Sequence, residues 1–149
     1  MSPSNDPDLG LDLADAATYD HWTPVTIRFS DQDSLGHINN VSYAAYVEVG
    51  RIAWGMGLVE RVGAKNIDFI LANVSIDYLR ESHYPGTIQV GTRATRIGTK
   101  SVTLGFGLFL NDIAVASARS TIVFIDEKSR ATVPVPEGVR ALIEEELAG

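Results

Sequence analysis

From Val25 the chain alternates: Val25, Ile27 and Phe29 take turns with Thr26, Arg28 and Ser30, the two-residue period of a half-buried strand. A turn-rich stretch, Asp31 to Asn40, follows. Tyr43, Val47, Gly50 and Trp54 then fall on one helical face, which predicts a helix over Val41 to Met56, capped by Asn39 or Asn40 and ended at Gly57. Its small residues, Ala44, Ala45, Gly50 and Ala53, let it lie close against another element. Four strand-like runs come next, Phe69 to Glu81, Thr87 to Arg96, Ser101 to Leu110 and Ile113 to Asp126, with turn chemistry at Gly98 and Asn111-Asp112. The third alternates most clearly, with Val102, Leu104, Phe106, Leu108 and Leu110 on one face. Strands joined this closely are expected to form an antiparallel meander, and the Val41 helix is the element available to cover its apolar face. The fold class is therefore α+β. A last amphipathic helix, Glu137 to Leu147, carries Val139, Leu142, Ile143 and Leu147 and is expected to pack on the outside.

Composition narrows the function classes. The chain has 149 residues, 45% hydrophobic and 21% charged, enough for one soluble domain. It has no cysteine, so disulfides, thiolate metal sites and thiol nucleophiles are excluded. Its three histidines, His21, His37 and His83, lack paired spacing, so no metal site is expected. Asp31 and Asp33 resemble the start of a calcium loop, but Leu35 and Ser42 stand where ligands are required. The net charge of −7 argues against nucleic acid as a partner. Five of the acids, Asp6, Asp8, Asp12, Asp15 and Asp20, lie in residues 1–24, which hold no Lys or Arg. Residues 1–23 are accordingly expected to be a loose acidic tail with a short helical turn near Leu9 to Ala17, and residues 24–149 the folded domain. With no signal-like start and no apolar run of membrane length, a cytoplasmic protein without a membrane partner is expected. From Leu79 to Leu110, Arg80, Arg93, Arg96 and Lys100 face Glu81 alone, a basic excess suited either to a phosphorylated ligand or to solvated strand edges. A glycine-rich phosphate loop and a Gly-x-Ser-x-Gly nucleophile elbow are both missing.

The order strand, turn, helix, strands, together with the run Arg28-Phe29-Ser30-Asp31-Gln32-Asp33-Ser34-Leu35-Gly36-His37-Ile38-Asn39-Asn40 leading into Tyr43 and Glu48, resembles the hotdog-fold thioesterases. More narrowly it resembles the 4-hydroxybenzoyl-CoA thioesterase superfamily and its YbgC-like, long-chain acyl-CoA members. Asn73 to Arg80, Gly86 to Val90, Lys100-Ser101 and Val123 to Asp126 reinforce the likeness, which covers about residues 24 to 145. It implies a curved five-stranded sheet wrapped around one helix, hydrolysis of an acyl-CoA to free acid and CoA, a place in fatty-acid metabolism, and a homodimer or homotetramer. Coenzyme A enters as part of the substrate, and no separate cofactor is implied.

Thioester hydrolysis needs a base or nucleophile for the carbonyl carbon and donors for the oxygen that becomes negative. The resemblance assigns Asp33 as the carboxylate, an amide near Asn40 as the oxyanion donor and His37 as the group that orients thioester or water. The first amides of the helix, at Asn40 and Val41, have no intrahelical partner and sit at its positive end. Asp33 has a second reading, since turn aspartates commonly accept hydrogen bonds from the backbone two residues on. His37 can equally serve the loop alone. Some family members take the carboxylate from the central helix, which makes Glu48 a second candidate; with Arg51 three residues on, it also reads as a plain ion pair. Tyr43, Tyr46, Phe69 and Ile70 are expected to border the acyl chain, and Arg80, Arg96, Lys100 and Ser101 to contact CoA. Two other functions share the fold: a non-catalytic domain that binds acyl-CoA, and a hydratase or dehydratase, whose histidine-aspartate signature is missing.

Overall fold

A computed structural model describes residues 10–149. The strands are β1 (His21–Thr26), β2 (Ile67–Tyr78), β3 (Thr87–Ile97), β4 (Ser101–Leu110) and β5 (Ile113–Asp126), and the helices α1 (Asn40–Val62) and α2 (Glu137–Ala148). One antiparallel sheet runs in the order β1-β3-β4-β5-β2. Its inner face, including Val90, Leu104, Phe106, Leu108 and Ile122, meets Tyr43, Tyr46, Val47, Trp54 and Leu58 of α1 in one buried core. This is the hotdog arrangement. A Cβ at Gly50 would lie 2.5 Å from Val90 Cγ1, so glycine there sets how closely helix and sheet approach.

The expected four-strand meander holds only for β3, β4 and β5. β2 pairs with β5, with Phe69 opposite Phe124, at the far edge from β1. The Leu79 to Gly86 connection is too long for a tight hairpin and carries the chain across the end of the sheet to β3. By contrast Asn111 and Asp112, with φ of 52° and 66°, form the tight turn that joins β4 to β5 as expected.

The helix does not stop at Gly57. It runs to Val62 and closes at Gly63, which has φ 67° and donates to the Glu60 and Val59 carbonyls. A mid-helix glycine costs about 1 kcal/mol, whereas burying Leu58 one turn beyond Trp54 returns about 1.5–3 kcal/mol. β1 also sits earlier than its alternation suggests. Ile27 is buried but has left the strand, and Phe29 is 75% exposed in a 3-10 turn, Phe29–Asp31.

The expected tail divides at the limit of what is described. Residues 1–9, with Asp6, Asp8 and Leu9, lie outside the described residues. Residues 10–20 are laid on the outer face of the sheet, where Leu13, Tyr19 and Phe109 form a second apolar cluster. The Tyr19 hydroxyl donates to the Leu13 carbonyl at 2.6 Å. Gly91 leaves room for the Tyr19 ring, since a Cβ there would come within 2.5 Å of its Cγ. The turn in this segment is Ala16–Thr18, capped by Asp15.

α2 is not an external addition. Val139 and Ile143 are fully buried in the main core. Its last turn covers the β3 edge beyond His21–Thr92, the last β1–β3 pair, where Glu146 Oε1 accepts from the Ala94 amide at 3.2 Å. Burial pushes the Glu146 carboxyl up, against the Ala94 amide, Arg93 and the Trp54 side chain. A raised native pKa means the ionised form costs stability as pH rises from the unfolded value through the folded one. Glu146→Gln keeps an acceptor for Ala94 and removes that cost. Thermal melts should therefore show the variant at least as stable as wild type at pH 7, with the difference vanishing below about pH 4; a variant much less stable at pH 7 would mean that the charge itself holds α2.

Candidate active site

The loop from Asp31 to Asn39 is built around a buried carboxylate. Asp31 is 2% exposed. Its Oδ2 accepts from the Arg28 amide at 2.8 Å and the Tyr46 hydroxyl at 2.7 Å, and its Oδ1 from the Arg28 guanidinium at 2.9 and 3.1 Å. Burial alone would raise its pKa; the hydrogen bonds from Arg28 and Tyr46 outweigh burial and hold it below the usual value. The same residue's carbonyl accepts from the Asn39 amide and the Ser42 hydroxyl, which ties the loop to the start of α1.

Within this frame Asp33 to His37 close a turn. The Asp33 amide donates to the His37 carbonyl at 2.8 Å, and Asp33 Oδ1 accepts from the Leu35 and His37 amides at 2.9 and 3.1 Å. Gly36, at φ 79°, takes the left-handed conformation the turn requires. The His37 amide is the chief cause that holds the exposed Asp33 carboxyl below its ordinary range, with desolvation opposing it and Leu35 adding to it. The turn-building role of Asp33 is thus present in the structure, and the carboxylate is an anion at neutral pH.

Asn39 caps α1, its side chain accepting from the Val41 amide at 2.9 Å. Val41 is thereby removed from the pair of free amides the sequence suggests. Among the described residues the Asn40 amide has no acceptor, and it sits at the positive end of a 23-residue helix. Asp33, His37, Asn40, Tyr43, Arg80 and Glu81 line one open cleft of about 390 Å³. A neighbouring cleft of about 680 Å³ shares Arg80 and Glu81.

The other candidates do not all converge on this cleft. Glu48 is exposed and 3.5 Å from Arg51, and it does not line the cleft. Tyr43 is at the site, but burial raises its pKa and its hydroxyl is bonded to Ser82 Oγ. Tyr46 is committed to Asp31. Phe69 lines a separate apolar cleft with Ile52 and Met56, and Ile70 lines neither. The expected acyl border is therefore not assembled within one chain. Nor is the basic excess a patch. Arg93 is bound to the Thr18 and Glu146 carbonyls. Arg96, Lys100 and Ser101 lie where β3 ends and β4 begins, whereas the cleft lies near Tyr78, at the other end of the sheet. The strand from Ile88 to Ile97 lies between the two ends, roughly 30 Å at about 3.3 Å per residue.

Sequence reading missed three residues around the cleft. Glu81 Oε2 is 3.5 Å from His37 Nε2. His83 packs its ring on His37 with centroids 5.1 Å apart, and Ser82 holds the Ile38 amide on its carbonyl. All three follow β2, and only the path of the Leu79 to Gly86 connection brings them to the loop before α1. No local spacing announces that.

The profile of the thioesterase-like superfamily matches residues 27–143, and the chain belongs to that family. Among solved structures it is similar to the PA5185 protein of Pseudomonas aeruginosa PAO1, at 30% identity and TM-score 0.75, covering 87% of this chain and 93% of that one. It is also similar to a thioesterase of Thermus thermophilus solved with coenzyme A and Zn, at 26% identity and TM-score 0.73, covering 86% and 95%. A curated relative, the uncharacterized protein YsmA of Bacillus subtilis (strain 168), is 28% identical over 89 residues; the match spans 60% of this chain and 60% of that protein.

The hydrogen bond from Tyr46 to buried Asp31 is open to direct test. Tyr46→Phe should cost about 1.5–3 kcal/mol at pH 7 in urea unfolding, the range for a bond to a charged group. Because Asp31 titrates below its ordinary value, its contribution is present above about pH 3.8 and is lost as pH falls through the folded pKa. The gap between variant and wild type should therefore narrow in acid. A gap that narrows nowhere on the acid side of pH 3.8 would assign the loss to packing.

Proposed function

We propose that the protein hydrolyses acyl-CoA thioesters to a free acid and CoA. The observation that carries this reading is the pairing, in one cleft, of the anionic Asp33 with the unpartnered Asn40 amide. Bound with its carbonyl oxygen on the Asn40 amide, a thioester would present its carbon either to a water that Asp33 deprotonates, giving the acid directly, or to Asp33 itself, giving an anhydride that water then opens to the acid. The helix N-terminus then favours the oxyanion, and CoA departs as the thiolate. Family membership and the CoA complex of the Thermus thermophilus thioesterase support a CoA ester as substrate. Of the proposed CoA contacts, Arg80 lines the cleft. His37 fixes Asp33 through its amide and adds its ring to the cleft wall. A cytoplasmic setting and a role in fatty-acid metabolism accord with such a substrate.

Arg96, Lys100 and Ser101 reach this substrate only if a second copy supplies them. Such an assembly is favoured by the β2 edge, where Ile70, Leu71, Val74 and Tyr78 are each 40–49% exposed. Sedimentation equilibrium should give a dimer or tetramer; a monomer at micromolar concentration would leave those three residues outside the site.

Thiol release from a chain-length series of acyl-CoAs tests the activity, and Asp33→Asn tests the mechanism. Asparagine can keep the Leu35 and His37 bonds, so the melting temperature should stay near wild type while kcat falls by roughly 10²- to 10⁴-fold. Glu48→Gln should cost far less. Full turnover in Asp33→Asn with loss in Glu48→Gln would move the carboxylate to the helix, and acyl-CoA binding with no turnover at any chain length would favour the non-catalytic binding domain.

A further inference from the structure

His37 and His83, far apart in sequence, meet at the mouth of the cleft with Glu81 beside them. One potential ligand atom from each of the three lies within 4.8 Å of the other two. We propose that His37, Glu81 and His83 form a binding site for a divalent transition ion of the zinc class.

The spacing is close to what the ion needs. Zinc bonds of about 2.0–2.1 Å in a tetrahedron put neighbouring ligand atoms about 3.4 Å apart. His37 Nε2 and Glu81 Oε2 already stand at 3.5 Å. The His83 ligand atom, within 4.8 Å of both, has to move in to close the third corner.

Both histidines are held in advance. The carbonyl of Gly36 can only accept, so His83 Nδ1, 3.0 Å away, carries the proton of this hydrogen bond. The neutral ring then keeps its lone pair on Nε2. An outer bond from the second ring nitrogen to a backbone carbonyl is how metal-binding histidines are commonly fixed in tautomer and orientation. His37 is pinned through its backbone, its amide on Asp33 Oδ1 and its carbonyl on the Asp33 amide. The two loops are joined between these points by the Ile38 amide on the Ser82 carbonyl at 2.9 Å and by the bond between Tyr43 and Ser82. The loop backbones and the His83 ring are thus fixed before binding, and the freedom left to be lost is that of the Glu81 side chain and the His37 ring.

The donor set selects the ion. Two imidazole nitrogens and one carboxylate oxygen suit zinc, cobalt or nickel, while magnesium and calcium prefer oxygen alone. Glu81 and His83 are exposed, so solvent gives the ion its entry path and supplies water as a fourth ligand. His37 and Glu81 also line the cleft with Asp33 and Asn40, which places the ion on the wall of the candidate active site. Binding itself is independent of whether that site hydrolyses thioesters.

Titration of the metal-free protein with Co²⁺, followed by visible absorption, and with Zn²⁺, followed by calorimetry, tests the site without an activity assay. One ion per chain is expected, with affinity falling in acid because the ion and protons compete for the same ligand atoms. His83→Gln keeps an amide donor for Gly36 but loses the ring nitrogen, and Glu81→Gln changes an exposed side chain that the fold does not need. Each should weaken Zn²⁺ binding at least about 10- to 100-fold. Zn²⁺ should raise the melting temperature of wild type and not of the variants, and excess Mg²⁺ should not displace Co²⁺. No uptake by wild type, or uptake unchanged in both variants, overturns the proposal.

Discussion

One buried carboxylate organises this protein's candidate site. A charge taken out of water is costly unless its lone pairs are met by donors. Asp31 meets that condition with the Arg28 amide and guanidinium on one side and the Tyr46 hydroxyl on the other. Each donor belongs to a different part of the fold: Arg28 to the exit from β1, Tyr46 to the second turn of α1. Satisfying the charge therefore fixes the chain leaving the sheet against the helix entering it. The Asp33 turn, the Asn39 cap and the free Asn40 amide all lie between those two anchors. Their geometry follows from the anchoring more than from their own interactions.

The sheet and α1 supply the support on which that anchoring depends. α1 crosses the inner face through Tyr46, Val47, Trp54 and Leu58, and glycine at position 50 lets it settle onto Val90. Residues 10–20 cover part of the outer face with Leu13 and Tyr19, so β3 and β4 are buried on both sides near Gly91 and Gly107. That double burial explains why β4 has no exposed position although its apolar residues alternate. The edge strands are less protected, and on β2 most positions are exposed.

What the sequence made legible was periodic or local. The limits of β4 and β5 match their runs to the residue, because alternation and the Asn111-Asp112 turn mark them twice over. The helix end was misplaced because Gly57 looks like a stop, while the competing gain from burying Leu58 depends on a sheet that local sequence does not show. Sheet order is hidden for a related reason: nothing in β2 or β5 taken singly says that Phe69 faces Phe124. At the site, Asp33 and Asn40 were readable from the resemblance and from helix-end chemistry. The partners of Asp31, Arg28 and Tyr46, converge only after folding, and so do His83 and Glu81, which no local spacing links to His37.

The two readings of Asp33 are not rivals in the folded protein. The bonds from Leu35 and His37 that build the turn also favour the ionised carboxylate, so the group stays charged near neutral pH at the expense of basicity. A carboxylate so held is a weak proton acceptor, so in the proposed reaction its contribution would come from placement beside an electrophile polarised by the Asn40 amide. This places the electrostatic demand on the helix terminus, whose Val41 amide is taken by Asn39 and whose Asn40 amide is left open. The cap that starts the helix and the turn that precedes it are thus one device. The first leaves a single amide unpartnered, and the second holds a negative oxygen in the same cleft.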